Sequence, residues 1–406
     1  MVTVDNGPAP SGPLSAVRVV DLTTLLPGPM TSLLLADYGA DVIKIEGPER
    51  PDGERRTAPL TKDGESYRFG MLNRNKRALT VDLKSNAGRE AMLRLTDTAD
   101  VVIEGFRPGT VDRLGIDYAT VSKRNPRIVY CSLSGYGQYG PYSMVPGHDL
   151  NYLAAAGMTS YVGTPTDSPD QPLRPPTLPI ADVGGGTLMA VFGILAALVR
   201  RQSTANGDYV DVSMYDGTFF WHNVRGHLFL PDTSDLDSVD VSGANAVPGY
   251  AIYAAGDGKL LTLGCVEAAF WNNLRRALGL EDGLPALQPS GPGAARARQL
   301  IATRLRDHDR DTWLATFDRH DVPASAVRST SELFDDPHVK ARELMLEVDL
   351  GDGVDRHLGF PVKMRHGRPA LRRAAPRCGQ HTDEILQEIG YSVPEIAALR
   401  AQGVVR

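Results

Sequence analysis

Three side chains have the type and the setting for proton or acyl chemistry. Asp182 stands just ahead of Gly184, Gly185 and Gly186 and of a long apolar segment. A carboxylate beside a helix N-terminus is favoured by the helix dipole and by unbonded N–H groups. The same place suits an Asp that merely caps the helix, and the residue alone leaves both roles open. His148, in Gly147-His148-Asp149, is of the side-chain type that lends or takes a proton at cellular pH; its alternative is a structural histidine, one of nine in the chain. Glu267, within the string from Gly264 to Trp271, is a third candidate, with a solvated helix-entry carboxylate as its alternative.

A second set of residues suits an anion. Lys44 ends a predicted strand, Arg74, Lys76 and Arg77 form a basic cluster, and Arg107 and Arg113 flank the loop after another strand. Guanidinium forks and ammonium groups gathered on strand-end loops match phosphates, although each taken singly is an ordinary surface charge. No Gly-x-Gly-x-x-Gly fingerprint and no phosphate-loop lysine motif occurs, which disfavours bound NAD or ATP. No metal constellation is visible. Cys131, Cys265 and Cys378 are too widely spaced for a disulfide framework or a zinc site, so a reducing cytoplasm is the expected compartment.

The elements that must position these groups follow from the apolar pattern. Val17 to Asp21 reads as a strand, Pro-Gly-Pro as a turn, Met30 to Tyr38 as a helix and Asp41 to Glu46 as a strand. The alternation continues with strands at Leu79 to Asp82, Val101 to Glu104 and Arg127 to Leu133, and helices at Ala87 to Ala99 and near Thr110. That pattern predicts an α/β fold, a doubly wound parallel sheet covered on both faces. Its ligand crevice would lie among the loops after Asp21, Glu46, Glu104 and Ser134.

Further on, Leu188 to Gln202 reads as a helix, Tyr250 to Tyr253 and Leu260 to Gly264 as a hairpin, and Phe270 to Leu278, Ala294 to Arg306 and Asp311 to Arg319 as helices. A hairpin-like stretch near Leu346 to Phe360 and a helical region from Thr382 to Leu399 complete the chain. The expected organisation is a flexible tail over 1–15, a large Rossmann-like domain over 16–218 and a linker over 219–247. A small α+β domain over 248–334 follows, and 335–406 returns to the large domain.

At 406 residues the chain exceeds one ordinary core, so two domains are expected. The formal charge of -6 gives no global basic field, which argues against a nucleic-acid partner. The start lacks the basic and apolar regions of a signal peptide. Leu188 to Val199, the longest apolar stretch, is short for a bilayer span; a soluble protein with no membrane partner is expected.

Taken in order, several strings resemble the class III CoA-transferase (CaiB/BaiF) superfamily. They are VVDLTTLLPGPMTSLLLADYGADVIKIE, LNRNKRALTVDLK from Leu72, EGFRPGTVDRLG from Glu104, LSGYGQYGPY from Leu133, GHDLNYLAAAG from Gly147, ADVGGG from Ala181, DGKLLTLGCVEAAFW ending at Trp271, and the tail GQHTDEILQEIGYS. The resemblance implies a Rossmann-like large domain with a smaller one and an interlocked homodimer. It implies an acyl-CoA substrate, with coenzyme A entering as part of that substrate and no tightly bound cofactor. Asp182 falls where the superfamily places its catalytic aspartate.

The string around His148 is similar to the 2-methylacyl-CoA racemase branch, in which this histidine works with the aspartate across C2. Glu267 matches a glutamate that reaches the partner subunit's histidine, although Ala268 stands where proline is common. Coenzyme A phosphates would meet Lys44, Arg74, Lys76, Arg77, Arg107 and Arg113. Racemisation in lipid metabolism is thus the leading expectation. Transfer of CoA to a carboxylic acid through an aspartyl-CoA thioester on Asp182 is the alternative, and a catalytically silent acyl-CoA-binding protein is a third. VSGANAVPGYAIY lacks the Gly-rich lid of many transferases.

Overall fold

A computed structural model of the chain describes residues 2–3, 12–61, 64–158, 178–229, 247–287, 291–349 and 354–406. It divides into two compact units, Met1–Gly226 with Glu343–Arg406, and His227–Arg342.

The first unit is built on six parallel strands: β2 (Arg18–Asp21), β3 (Asp41–Glu46), β4 (Lys76–Thr80), β5 (Val101–Glu104), β6 (Val129–Ser134) and β7 (Asp208–Ser213). They lie side by side in the order β4-β3-β2-β5-β6-β7. Chain progression therefore reverses between β2 and β5, the switch point at which sheets of this kind open a crevice beyond the carboxyl ends of the strands. The two loops leaving these strands adjoin: a Cβ added to Gly105 would lie 3.7 Å from Cγ2 of Thr23.

Strand residues alternate between two cores. Val20, Ile43, Leu79, Val102 and Tyr130 pack against α3 (Asn86–Asp97) and α5 (Tyr118–Arg124) and against two C-terminal helices, Thr382–Glu388 and Val393–Ala401. Val19, Val42, Val101, Ile103, Val129 and Cys131 pack on α1 (Pro27–Asp37) and on a long helix over Leu188–Thr204. Full burial of each large aliphatic side chain contributes about 1.5–3 kcal/mol, which is why near-continuous apolar strands mark a sheet covered on both faces.

The second unit pairs β8 (Tyr250–Ala254) antiparallel with β9 (Leu260–Gly264) and adds β10 (Ala324–Ala326). Its core gathers Trp271 and Leu274 with Ile301, Trp313 and Phe317 from helices Ala268–Leu278, Pro292–Leu305 and Arg310–Arg319.

Several expectations are corrected. Strand β4 begins three residues earlier than the apolar pattern indicates, because the Lys76 and Arg77 stems lie in the sheet while carboxylates neutralise their tips. Pro-Gly-Pro is the first turn of α1 rather than a turn before it, the missing proline N–H being harmless there. The region from Thr382 to Leu399 is two helices, broken around Gly390, which has a positive φ of 91°.

The start of the expected linker is helical, with α8 over Met214–Phe219 and a 3₁₀ stretch over Phe220–Phe229; 230–246 lie outside the described residues. Val2–Thr3, expected in a tail, form β1 and pair with Val348–Asp349 of β11 (Met345–Asp349), which is itself antiparallel to β12 (Val354–Leu358). The Leu188 helix, α7, is preceded without a break by a π-helical turn over Ala181–Thr187, α6 being Asp149–Ala155. The combined 24-residue helix, with a mean hydropathy of 1.8 in its most apolar window, has the length and composition to cross a membrane, unlike the shorter stretch read from the sequence. Only 39% of that window is buried.

Candidate active site

Asp182 sits in the π-helical turn, and the three glycines explain how the turn is packed. A Cβ on Gly185 would stand 2.4 Å from the Met214 carbonyl oxygen, and one on Gly184 would stand 2.2 Å from the Trp221 ring. One on Gly217 would lie 2.1 Å from the Gly185 carbonyl oxygen. Bare backbone thus lets α8 and the following 3₁₀ stretch cross directly over the turn. Single π turns of this kind re-aim side chains at functional sites.

His148 is the residue before α6, exposed, with its backbone N–H bonded to Oδ1 of Asn151 at 3.0 Å. The next residue, Asp149, accepts a hydrogen bond from the backbone N–H of Asp182 at 2.9 Å. That contact brings together two strings 33 residues apart in sequence. Burial pushes the Asp182 carboxyl up to about 6, the Asp149 carboxylate adds to the rise, and the nearby His148 opposes it. A helix N-terminus favours a carboxylate by roughly 0.3–1 kcal/mol, less than the about 1.4 kcal/mol of one pKa unit, so burial and Asp149 prevail. A carboxyl in that range can act as acid and as base near neutral pH.

Tyr152 donates its hydroxyl to the Gly147 carbonyl at 2.6 Å, and burial, with the Asp182 carboxylate adding to it, pushes its pKa up to about 12, making it a weaker acid. Asp149 and Tyr152 stood within the string GHDLNY but carried no separate signal, since their value depends on where α6 is placed.

The six cations separate into two groups. Lys44 is buried and donates to Oδ2 of Asp52 at 2.8 Å and to the Thr23 carbonyl at 3.0 Å. Lys76 is buried and reaches Asp21 at 3.2 Å, the Pro29 carbonyl at 2.9 Å and Asn73 at 2.8 Å. Burial lowers its pKa to about 8 even though Asp21 pulls the other way. Burial would raise the Asp21 carboxyl, yet Lys76 and Lys44, with bonds from Ser32 and Thr23, bring it down to about 2.

Arg74 is bidentate to Asp37, and Arg77 joins Asp41, Glu384 and Glu388. The basic cluster of Arg74, Lys76 and Arg77, like Lys44, is thus engaged with carboxylates inside the first unit instead of standing ready for an anion. Arg107 and Arg113 are different. Both are exposed, Arg113 bonding only Thr110 and Arg107 making no side-chain bond among the described residues. They follow β5, beside the switch point.

Glu267 belongs to the second unit, where it precedes the helix Ala268–Leu278 with its side chain exposed and not engaged in capping. No group of three or more His, Cys, Asp or Glu among the described residues could hold a metal ion.

A parallel six-stranded sheet, a half-buried aspartate raised by burial in a π-helical turn and a histidine whose charge reaches it define a two-unit α/β enzyme scaffold. Residues 14–382 match CoA-transferase family III, and the chain belongs to that family. It is 32% identical over 400 residues to the human alpha-methylacyl-CoA racemase, covering 97% of each chain. It is 33% identical over 400 residues to the succinyl-CoA:mesaconate CoA-transferase of Haloarcula hispanica, covering 93% of this chain and 97% of that one. The crystal structure of a CAIB/BAIF family protein from Brucella suis superposes with a TM-score of 0.77 at 28% identity, over 93% of this chain and 100% of that one. Racemases and transferases thus resemble the chain to a similar degree.

Proposed function

We propose that this member of the family interconverts the C2 epimers of a 2-methylacyl-CoA. The observation that carries the reading is Asp182, its carboxyl pushed up to about 6, beside His148. Racemisation needs two groups that exchange the roles of acid and base, and a carboxyl of ordinary acidity would be a poor donor at pH 7. One of the pair removes the C2 proton, which the thioester acidifies; the electron pair moves onto the thioester oxygen; the other returns a proton to the opposite face. Arg107 and Arg113 hold the phosphates of coenzyme A, which arrives as part of the substrate, and no further cofactor is needed.

The working unit in this reading is an interlocked homodimer in which Glu267 approaches the partner subunit's site. Support comes from Leu188, Phe192, Leu195 and Val199, an apolar stripe on one face of α7 whose Phe192 is 70% and Val199 66% exposed. Covered in this way, α7 is a helix of a soluble cytoplasmic dimer.

The alternative is transfer of CoA, with Asp182 as nucleophile. The similarity to the Haloarcula transferase favours it, and so does the partly buried carboxylate at a helix start. Incubating the protein with a resolved 2-methylacyl-CoA in deuterated water tests the choice. Racemisation requires C2 deuterium together with loss of chirality. Absence of both, with a hydroxylamine-trapped activated ester on Asp182, establishes transfer instead.

A further inference from the structure

Aromatic rings form a continuous wall leading outward from Tyr152, on which the charge of Asp182 acts. Tyr152, bonded to the loop that carries His148, meets Tyr136 edge-on at 5.1 Å. Tyr136 lies 5.6 Å from Tyr142 and 5.8 Å from Tyr215, and Tyr215 stacks on Phe219 at 6.1 Å. Burial falls along this path: Tyr152 is buried, Tyr136 and Tyr215 are half-buried, and Tyr142 and Phe219 are exposed. The wall thus begins at Tyr152, which is bonded to the loop of His148 and feels the charge of Asp182, and ends in solvent.

Its charges are equally informative. The segments that supply it, residues 135–152, 178–189 and 214–224, contain no Lys and no Arg. They do contain Asp149, Asp182 and Asp216, and the carboxylate of Asp211 accepts from the Gln138 N–H at 3.1 Å. An acyl group with a distal carboxylate, such as a succinyl group, would meet carboxylates there and no Lys or Arg from these segments, with its own charge partly desolvated. An apolar acyl group would instead exchange water for ring faces, each fully buried methylene being worth about fourfold in affinity. Tyrosine and phenylalanine supply this area with few rotatable bonds to immobilise.

We propose that the Tyr136, Tyr142, Tyr215 and Phe219 wall receives the acyl chain and selects uncharged, apolar acyl groups over short dicarboxylic ones. The inference rests on the reading of Asp182 and His148 as the thioester site. It does not depend on whether that site racemises or transfers.

Equilibrium binding by calorimetry separates the two questions. Decanoyl-CoA, succinyl-CoA and free CoA would be titrated into the full-length protein and into Tyr142→Ala, Tyr142→Phe and Phe219→Ala. Decanoyl-CoA should bind at least about tenfold tighter than succinyl-CoA. Tyr142→Ala and Phe219→Ala should each weaken decanoyl-CoA by roughly tenfold and leave free CoA unchanged, whereas Tyr142→Phe should keep the affinity. Unchanged free-CoA affinity also shows that each variant is folded.

Succinyl-CoA binding as tightly as decanoyl-CoA would overturn the proposal, as would decanoyl-CoA affinity indifferent to both alanine variants. A protein that prefers decanoyl-CoA but shows no C2 exchange loses the racemase reading and keeps this one. A protein that exchanges C2 deuterium yet prefers succinyl-CoA does the reverse.

Discussion

The backbone N–H of Asp182 donates to Oδ1 of Asp149 at 2.9 Å, locking the residue that follows His148 against the turn that carries the aspartate. Two consequences arise from this one bond. The two strings share a fixed geometry, and a second carboxylate stands close enough to help burial hold the Asp182 proton.

That proton has a thermodynamic signature. The Asp182 carboxyl lies at about 6 in the folded chain against an ordinary 3.8. Between these values the folded state binds a proton that the unfolded state has released, so its contribution to stability is greatest at low pH and is lost as pH rises through 6. Asp182→Asn should therefore melt above the wild type at about pH 8, by on the order of 3 °C. The difference should vanish near pH 4. Calorimetric melting across pH checks this, and equal pH dependence of both proteins would refute it.

Asp182→Asn and His148→Ala should separate the chemistries. In the proposed racemase each lowers C2 exchange by at least about a hundredfold in one or both stereochemical directions, the range general acid–base groups contribute. In the direction in which Asp182 is the base, kcat/KM should fall as pH drops through about 6. Deuterium uptake from each pure epimer is the measurement. Retained CoA transfer in His148→Ala, with wild-type Asp182 trappable by hydroxylamine, would replace the racemase by the transferase.

Arg107→Ala with Arg113→Ala should weaken free CoA and its esters by roughly tenfold or more, since a charge-assisted bond is typically worth about 1.5–3 kcal/mol. The slope of affinity against salt should flatten as the charge is lost, and melting should not change because both side chains are exposed. Titrations of CoA at several salt concentrations provide the check. Unchanged affinity would place the phosphates elsewhere.

Lys76→Met should act on folding instead. It leaves the buried Asp21 carboxylate short of one of its two cations, the other being Lys44. Breaking one side of a buried pair typically costs about 3–5 kcal/mol. Denaturant melting should show a loss of that order, and the double variant Lys76→Met with Asp21→Asn should recover part of it. A wild-type midpoint for the single variant would mean that water already screens the pair.

Phe192→Asp with Val199→Asp places two carboxylates on the exposed stripe of α7. If a second copy covers it, sedimentation should show the wild type as a dimer whose melting depends on protomer concentration. The variant should be monomeric or poorly folded. A wild type that sediments as a folded monomer at micromolar concentration would end the interlocked-dimer reading.

The sequence by itself determined the alternation of strands and helices, the hairpin of β8 and β9, the family, and His148 and Asp182 as candidates. All of these are local: apolar periodicity, turn residues and short strings survive in one dimension. What only the tertiary structure decided depends on neighbours distant in the chain. Lys44, Arg74, Lys76 and Arg77 look like an anion site in sequence, but the carboxylates that neutralise them come from Asp52, Asp37, Asp21 and Asp41, and in part from Glu384 and Glu388 some 300 positions away. Strand β7, which reaches Ser213, is only half-buried along much of its length and so lacks the apolar run that marked its neighbours. The rise in Asp182, too, needs burial and Asp149, and neither can be read from the residues on either side of it: burial is set by how the whole chain packs, and electrostatic repulsion acts through space.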